Sequence, residues 1–282
     1  MLEEVNRKSL TIKTSGRSTD YLTPSFIFGC GFECSYCYCK RHVNNKITIA
    51  KNVEDLLTEV DHHAWFADVE KPNQTHEEYI TYDIGCNTDV ALHYKHGNWD
   101  KVFDFFKSHP KAMGSFATKY VNKKLLNYNP EGKLRIRFSL MPEKYSEILE
   151  PNTSSIDERI QAITEFQKAG WEVHINFSPV IVTKDWLKEY KKLFEKLSHL
   201  NDESIKAEVI FLTHNMRKHV YNTVNNIPGE NLLWMPEIQE NKKSQYGGFN
   251  IRYKYDQKEI YINKWLELHN KIIPWNKVRY IF

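Results

Sequence analysis

Four of the five cysteines fall in one short stretch, Cys30-Gly-Phe-Glu-Cys34-Ser-Tyr-Cys37-Tyr-Cys39. Thiolates this close in sequence point to a metal or cluster, because a chain in a reducing compartment has no use for a disulfide frame. An iron–sulfur cube needs one thiolate per iron, so Cys30, Cys34 and Cys37 would leave the fourth iron free to bind a ligand. An open coordination position is what separates a catalytic metal site from a closed structural one. The other reading is a structural zinc held by Cys30, Cys34, Cys37 and Cys39, with His42 as a stray donor. Against it, Cys37 and Cys39 are closer than zinc ligands usually are, and no second Cys/His pair follows at finger distance. Cys39 reads as a bystander. Cys86 stands alone, and a lone cysteine is commonly a small buried hydrophobe.

The elements that must hold these residues read as repeated βα units. Strands are predicted at Ser25–Gly29, Tyr79–Ile84, Gly114–Thr118, Leu134–Leu140, Val173–Val182 and Ala207–Leu212, and helices at Val53–His63, Trp99–Ser108, Ser155–Ala169, Lys184–Leu197 and Asn215–Val224. In the third helix Ile156, Ile160, Ile163 and Phe166 make one apolar stripe, Asp157 and Glu158 suit the positive end of the dipole, and Gly170 supplies the stop. About six such units are too few for a closed eight-strand barrel, so the predicted fold is a partial, open α/β barrel with one accessible side. Residues 1–21 form a lead, 22–227 the barrel and 228–282 a C-terminal α+β extension. The extension holds a strand at Phe249–Tyr255, a helix around Glu259–His269 and a last strand at Val278–Phe282. No internal repeat or long linker divides the chain, so one domain is expected.

Bulk composition excludes several classes. Hydrophobic residues at 41% and charged residues at 27% are ordinary globular usage, neither disordered nor fibrous. The amino-terminal stretch lacks an apolar signal-peptide core, and no run approaches the roughly 18 apolar residues of a membrane span, so a cytoplasmic protein is expected. A net charge of +3 leaves nucleic-acid binding to local basic patches. Lys123, Lys124, Arg217, Lys218, Lys242, Lys243, Arg252 and Lys254 are candidates to track phosphates, with Tyr246, Tyr253 or Trp234 as wedges against bases. The high aromatic share, 13%, fits either a core or a surface on which bases stack.

Cys-x3-Cys-x2-Cys with an aromatic before the last cysteine resembles the radical S-adenosylmethionine superfamily. Further motifs resemble one branch of it, spore photoproduct lyase and its relatives. They are Tyr-Cys-Tyr at 36–38, Gly-Cys-Asn-Thr-Asp at 85–89, Ala-Thr-Lys-Tyr at 117–120, Arg-Ile-Arg-Phe-Ser at 135–139, Glu-Pro-Asn-Thr-Ser-Ser at 150–155, Ala-Gly-Trp at 169–171 and Ser-Pro-Val-Ile at 178–181. The likeness spans nearly the whole chain. It departs where Gln245 stands in place of a basic residue of the family's C-terminal loop, and in a front end shorter than the lyases have.

The resemblance implies a [4Fe-4S] cluster on Cys30, Cys34 and Cys37 that binds S-adenosylmethionine, whose reductive cleavage releases a 5′-deoxyadenosyl radical. In the family that radical takes a hydrogen from an ultraviolet-induced thymine dimer in DNA, and a cysteine returns a hydrogen atom to restore two thymines. Cys86 stands where that donor stands. Tyr36 and Tyr38 match family tyrosines, Tyr38 as a relay of the radical back to the cofactor. Lys119, Ser139 and Tyr36 match residues around S-adenosylmethionine, with Thr88 and Asp89 near cofactor or substrate, although Asp89 also suits a helix cap. A monomer served by a reducing donor such as flavodoxin or ferredoxin is the implied assembly.

Overall fold

The structure, a computed structural model, describes all residues except 1, 15–19, 38, 40–45, 68–75 and 244–247. Along the chain come β1 (Leu2–Val5), β2 (Lys13–Thr14), β3 (Tyr21–Leu22), β4 (Ile27–Phe28), β5 (Ile47–Ala50), α1 (Val53–Phe66), β6 (Ile80–Asp83), α2 (Val90–His93), α3 (Trp99–Ser108) and β7 (Ala112–Thr118). There follow β8 (Leu134–Ser139), α4 (Glu143–Leu149), α5 (Ile156–Lys168), β9 (Glu172–Val180), α6 (Trp186–Leu197), β10 (Ala207–Phe211) and β11 (Thr213–Asn215). The chain ends with α7 (Met216–Val224), α8 (Glu230–Leu233), β12 (Gln239–Lys243), β13 (Phe249–Tyr253), α9 (Tyr255–Ile272) and β14 (Val278–Ile281). No helix among the described residues is long and apolar enough to cross a membrane.

Contacts group the chain into two compact units, the first made of residues 1–31, 44–139 and 158–175, the second of 32–43, 140–157 and 176–282. In the first unit the strands run in the order β2-β3-β6-β7-β8-β9. The pairs β3–β6, β6–β7 and β7–β8 are parallel, while β2 is an antiparallel edge on β3. A separate sheet, β1-β5-β4, packs in the same unit.

The two faces of this sheet differ in kind because side chains alternate along a strand. On β8, Leu134, Ile136 and Phe138 turn to the helices, Phe138 meeting Phe166 of α5 with ring centroids 5.3 Å apart. On β7, Phe116 faces Phe103 of α3, which also meets Trp171. The stripe Trp99, Val102, Phe103 and Phe106 is fully buried, as helical spacing dictates. The other face carries Thr81, Asp83, Ser115, Arg135, Arg137, Glu172 and His174, with Asp20 beside them. A strand reading Leu-Arg-Ile-Arg-Phe-Ser that is buried throughout therefore places two arginines on a buried polar face.

In the second unit the order is β9-β10-β14, with β10 and β14 parallel, and a second sheet runs β11-β13-β12 with antiparallel pairing. Helices α6 and α9 pack through Phe194 and Trp265, whose rings lie 5.2 Å apart at 89°.

Two expectations need correction. The predicted first barrel strand, Ser25–Gly29, shrinks to β4 and pairs with β5 outside the large sheet. Tyr21–Leu22 takes its place beside β6. A two-residue strand is too short to show a period, and the polar neighbours Thr23 and Ser25 hide it. The predicted helix at Glu259–His269 begins at Tyr255 instead, which cuts the preceding strand at Tyr253.

Candidate active site

The polar face of the first unit is charged at its centre. Asp20 and Arg135 are wholly buried, Nη1 of Arg135 lying 3.6 Å from Oδ1 of Asp20 and Nη2 of Arg137 lying 3.8 Å from Oδ2. Arg137 also pairs with Asp83 at 2.8 Å, and Arg135 with Glu172 at 2.8 Å. Burial works against the Asp20 charge, but Arg137, Arg135 and the hydroxyls of Thr81 and Ser115 prevail and hold its pKa near about 2. Asp83 goes the other way, its carboxyl pushed up by burial despite Arg137.

The turn after β6 carries Cys86. The backbone N–H of Gly85 donates to Oδ1 of Asp83 at 2.9 Å, and that of Thr88 to the Gly85 carbonyl at 3.1 Å, so the strand ends in a tight turn. The side-chain amide of Asn87 donates to Sγ of Cys86 at 3.2 Å and to Oγ of Ser25 at 2.7 Å. Burial, with the Asp83 charge added, pushes the Cys86 thiol up to about 12. The sulfur therefore keeps its hydrogen throughout the neutral range.

This turn is stitched to the start of the cysteine loop. The N–H of Gly29 donates to the Asn87 carbonyl at 3.0 Å, and the Thr88 hydroxyl donates to the Gly29 carbonyl at 2.7 Å. Gly29 adopts φ +98°, a left-handed conformation, and a Cβ there would come 3.0 Å from the Lys46 carbonyl oxygen, so glycine is required. One residue beyond Cys30, the N–H of Gly31 donates to Nε2 of His93 at 3.1 Å. Burial pulls the His93 pKa down to about 4, which keeps that nitrogen an acceptor.

The rest of the loop belongs to the second unit. The Cys37 N–H donates to the Cys34 carbonyl at 3.1 Å, and Ser35 N–H to the Leu149 carbonyl at 2.9 Å. The Tyr36 hydroxyl donates to Oε1 of the buried Glu150, whose Oε2 accepts from Ser146 at 3.0 Å. Cys34 is buried and the other four cysteines are half-buried. Soft donors in one pinned loop suit a thiolate-bound iron–sulfur group.

A family model described as spore photoproduct lyase matches residues 4–282. The chain belongs to the spore photoproduct lyase family. Among curated members it is 26% identical to spore photoproduct lyase of Bacillus subtilis (strain 168), over 89% of this chain and 73% of that protein. It is 26% identical to the lyase of Clostridium acetobutylicum over 98% of this chain and 80% of that protein. Among solved structures it is similar to spore photoproduct lyase complexed with dinucleoside spore photoproduct, with TM-score 0.84 at 22% identity, covering 100% of this chain and 82% of the other. A mutant lyase with bound AdoMet and dinucleoside spore photoproduct matches with TM-score 0.84 at 20% identity, over 100% and 82% of the two chains. The fold is that of these lyases.

Within this family member, the residues anticipated for the cofactor occupy distinct positions. Asp89 is buried and both its oxygens are engaged: Oδ1 accepts from Leu92 N at 3.1 Å and Thr118 Oγ1 at 2.7 Å, Oδ2 from Lys119 N at 2.8 Å. It caps α2 and fixes the backbone of Lys119, which follows β7. Ser139 is buried at the end of β8, its carbonyl accepting from Arg159 Nη1 at 2.9 Å. Tyr38, His42, Gln245 and Tyr246 lie outside the described residues. Two surface expectations are overturned. Tyr253 is 1% exposed, and its hydroxyl accepts from Val182 N–H at 2.8 Å, so it is core and not a wedge. Lys218 is likewise buried, its Nζ 5.3 Å from the Tyr221 ring centroid, which suits packing better than phosphate contact. Trp234 is half-buried beside His219, and Arg252 faces Glu240 across the β12–β13 ladder.

Sequence reasoning passed over His93, Asn87, Asp83 and Glu150. Asn87 and Glu150 stood inside motifs but were given no role, and the buried arginines Arg135 and Arg137 left a signal of their own, two like charges alternating inside an apolar strand.

Proposed function

We propose that this chain reverses the spore photoproduct in DNA, with Cys86 as the hydrogen-atom donor. The observation that carries the reading is the turn 85–89, bonded on both sides of Gly29 and holding a protonated thiol next to the cysteine loop. Cys30, Cys34 and Cys37 would hold a [4Fe-4S] cluster. Bound together, the cluster and S-adenosylmethionine supply a carbon-centred radical able to remove a hydrogen atom from the dimer.

The chain's own residues do the rest. Asp89, by holding the Lys119 N–H, orients Lys119, whose ammonium suits the carboxylate or ribose hydroxyls of S-adenosylmethionine, with Ser139 on the neighbouring strand and Thr88 in the turn. Tyr36 steadies the loop through Glu150. Cys86 gives its S–H hydrogen to the substrate radical, the S–H bond breaking as a C–H bond forms and a thiyl remaining on sulfur. A thiolate has no hydrogen to give, which is why the raised thiol supports this role. Lys123, Lys124, Arg217, Lys242, Lys243, Arg252 and Lys254 are the remaining basic residues proposed for phosphate contact, in a monomeric cytoplasmic protein reduced by a flavodoxin or ferredoxin.

The test is repair itself. Anaerobically reconstituted protein with reductant and S-adenosylmethionine should restore thymine in an oligonucleotide carrying the spore photoproduct. Cys86→Ala should keep releasing 5′-deoxyadenosine while thymine yield falls and radical by-products accumulate. Release of 5′-deoxyadenosine by wild type without restored thymine would move the substrate elsewhere, and unchanged repair by Cys86→Ala would remove Cys86 from the chemistry.

A further inference from the structure

Three side chains of the second unit that this reading leaves unused converge on one point. His214 lies in β11, His219 in the first turn of α7 and Glu230 at the start of α8. Nε2 of His214 and Nδ1 of His219 lie 2.9 and 2.6 Å from the same oxygen, Oε1 of Glu230. One ligand atom from each residue falls within 4.8 Å of the others. His214 is closed off at 0% side-chain exposure, whereas Glu230 and His219 retain 14% and 20%, so the cluster is sealed on one side and reachable from the other. The Trp234 ring, 5.8 Å from that of His219, walls one flank.

The second oxygen of Glu230 is also fixed. Nδ2 of the fully buried Asn222 donates to Oε2 at 2.6 Å, and the same amide donates to the Ser35 carbonyl at 2.8 Å. Glu230 is held below the usual carboxylate range, since the His214, His219 and Asn222 bonds outweigh its burial.

We propose that His214, His219 and Glu230 form a binding site for one first-row divalent cation of the zinc class, tied through Asn222 to Ser35 of the cysteine loop. An ionised carboxylate only accepts, so without metal both facing ring nitrogens carry hydrogens. A cation takes the place of those hydrogens, and each moves to the other nitrogen of its own ring, so no proton need be released. At His214 that other nitrogen, Nδ1, is buried without a hydrogen-bond partner among the described residues, so the shift breaks no bond there. Two neutral imidazoles and one carboxylate with an accessible side are a donor set of catalytic zinc and of non-haem ferrous sites. Magnesium and calcium, which want oxygen ligands, are poor occupants. The site makes no use of the cysteines and stands apart from the repair reading.

Reconstituted holoprotein, with its iron counted, is dialysed against zinc and measured by metal analysis and zinc-edge X-ray absorption. One zinc beyond the iron is expected, with a shell of nitrogen and oxygen at about 2.0–2.1 Å. His219→Ala and Glu230→Gln should weaken zinc binding by about a hundredfold or more, and Asn222→Ala by about 10–100-fold, as loss of a ligand's supporting bond does. Equimolar magnesium should not compete. A sulfur shell at about 2.3 Å would assign the zinc to cysteines and overturn the proposal. So would the absence of extra zinc from wild type, or undiminished zinc in a His219→Ala variant whose circular dichroism matches wild type. The absorption measurement needs no variant, so misfolding of a mutant does not blunt the test.

Discussion

The donor role proposed for Cys86 requires a sulfur that keeps its hydrogen until the substrate radical arrives. The Cys86 thiol, at about 12, stands far above the roughly 8.5 of an ordinary cysteine, through burial first and the Asp83 charge second. An acid shifted upward stays protonated at every pH below its folded value, so no change in Cys86 charge enters the repair profile between pH 7 and pH 9. Alkylation by iodoacetamide at pH 8 should accordingly be about a thousandfold slower at Cys86 than at an exposed thiol, read by mass spectrometry of the modified peptide. Asp83→Asn should speed it by removing the nearby charge, and an unchanged rate in that variant would leave burial as the sole cause. The position of Cys86 was legible in the sequence through the motif around it. Its protonation was not, because burial, the larger cause of the shift, arises only from packing in the folded chain.

Elements with a full period, and some four-residue strands such as β6 and β14, could be read from sequence, whereas the shortest strands could not. The helices at α3, α5 and α6 and the strands β7 to β10 are long enough to show apolar stripes or runs, and their predicted bounds fall within a few residues of the observed ones. Strands of two residues carry no period, so β3 went unseen and β4 was assigned to the wrong sheet. What joins the elements was invisible for the same reason: the bond from Thr88 to Gly29 spans 59 residues and leaves no local mark. Two consequences belong here. Gly29→Ala should lose about 1–2 kcal/mol to the left-handed backbone alone, seen as a lower unfolding midpoint, whereas Thr88→Val should leave the midpoint nearly unchanged and reduce the iron retained after reconstitution. Equal iron content in wild type and Thr88→Val would show that the stitch does not serve the cysteine loop. Tyr253→Phe probes the corrected assignment: Val182 N–H loses its acceptor at a cost of about 1–3 kcal/mol, while affinity for undamaged duplex DNA, measured by fluorescence anisotropy, should stay the same.

At the scale of the molecule, the buried charges set the response to acid. Asp20 titrates near about 2 in the fold and near about 3.9 unfolded, a depressed value, so its contribution is complete above about pH 4 and is lost as pH falls through about 2. The unfolding midpoint should therefore drop over that interval. Asp20→Asn should flatten this limb and cost on the order of 3 kcal/mol at neutral pH, because Arg135 and Arg137 lose a buried counter-charge. The path of the chain has a consequence in time. The cysteine loop is made well before its partners: Tyr36 meets Glu150 only 114 residues later, and the Ser35 carbonyl meets Asn222 187 residues later. On the ribosome the start of the loop can be held as soon as residues 87–93 have emerged, whereas the stretch carrying Cys34 and Cys37 waits for Glu150 and Asn222, and iron delivered before then would meet those two thiols without these contacts.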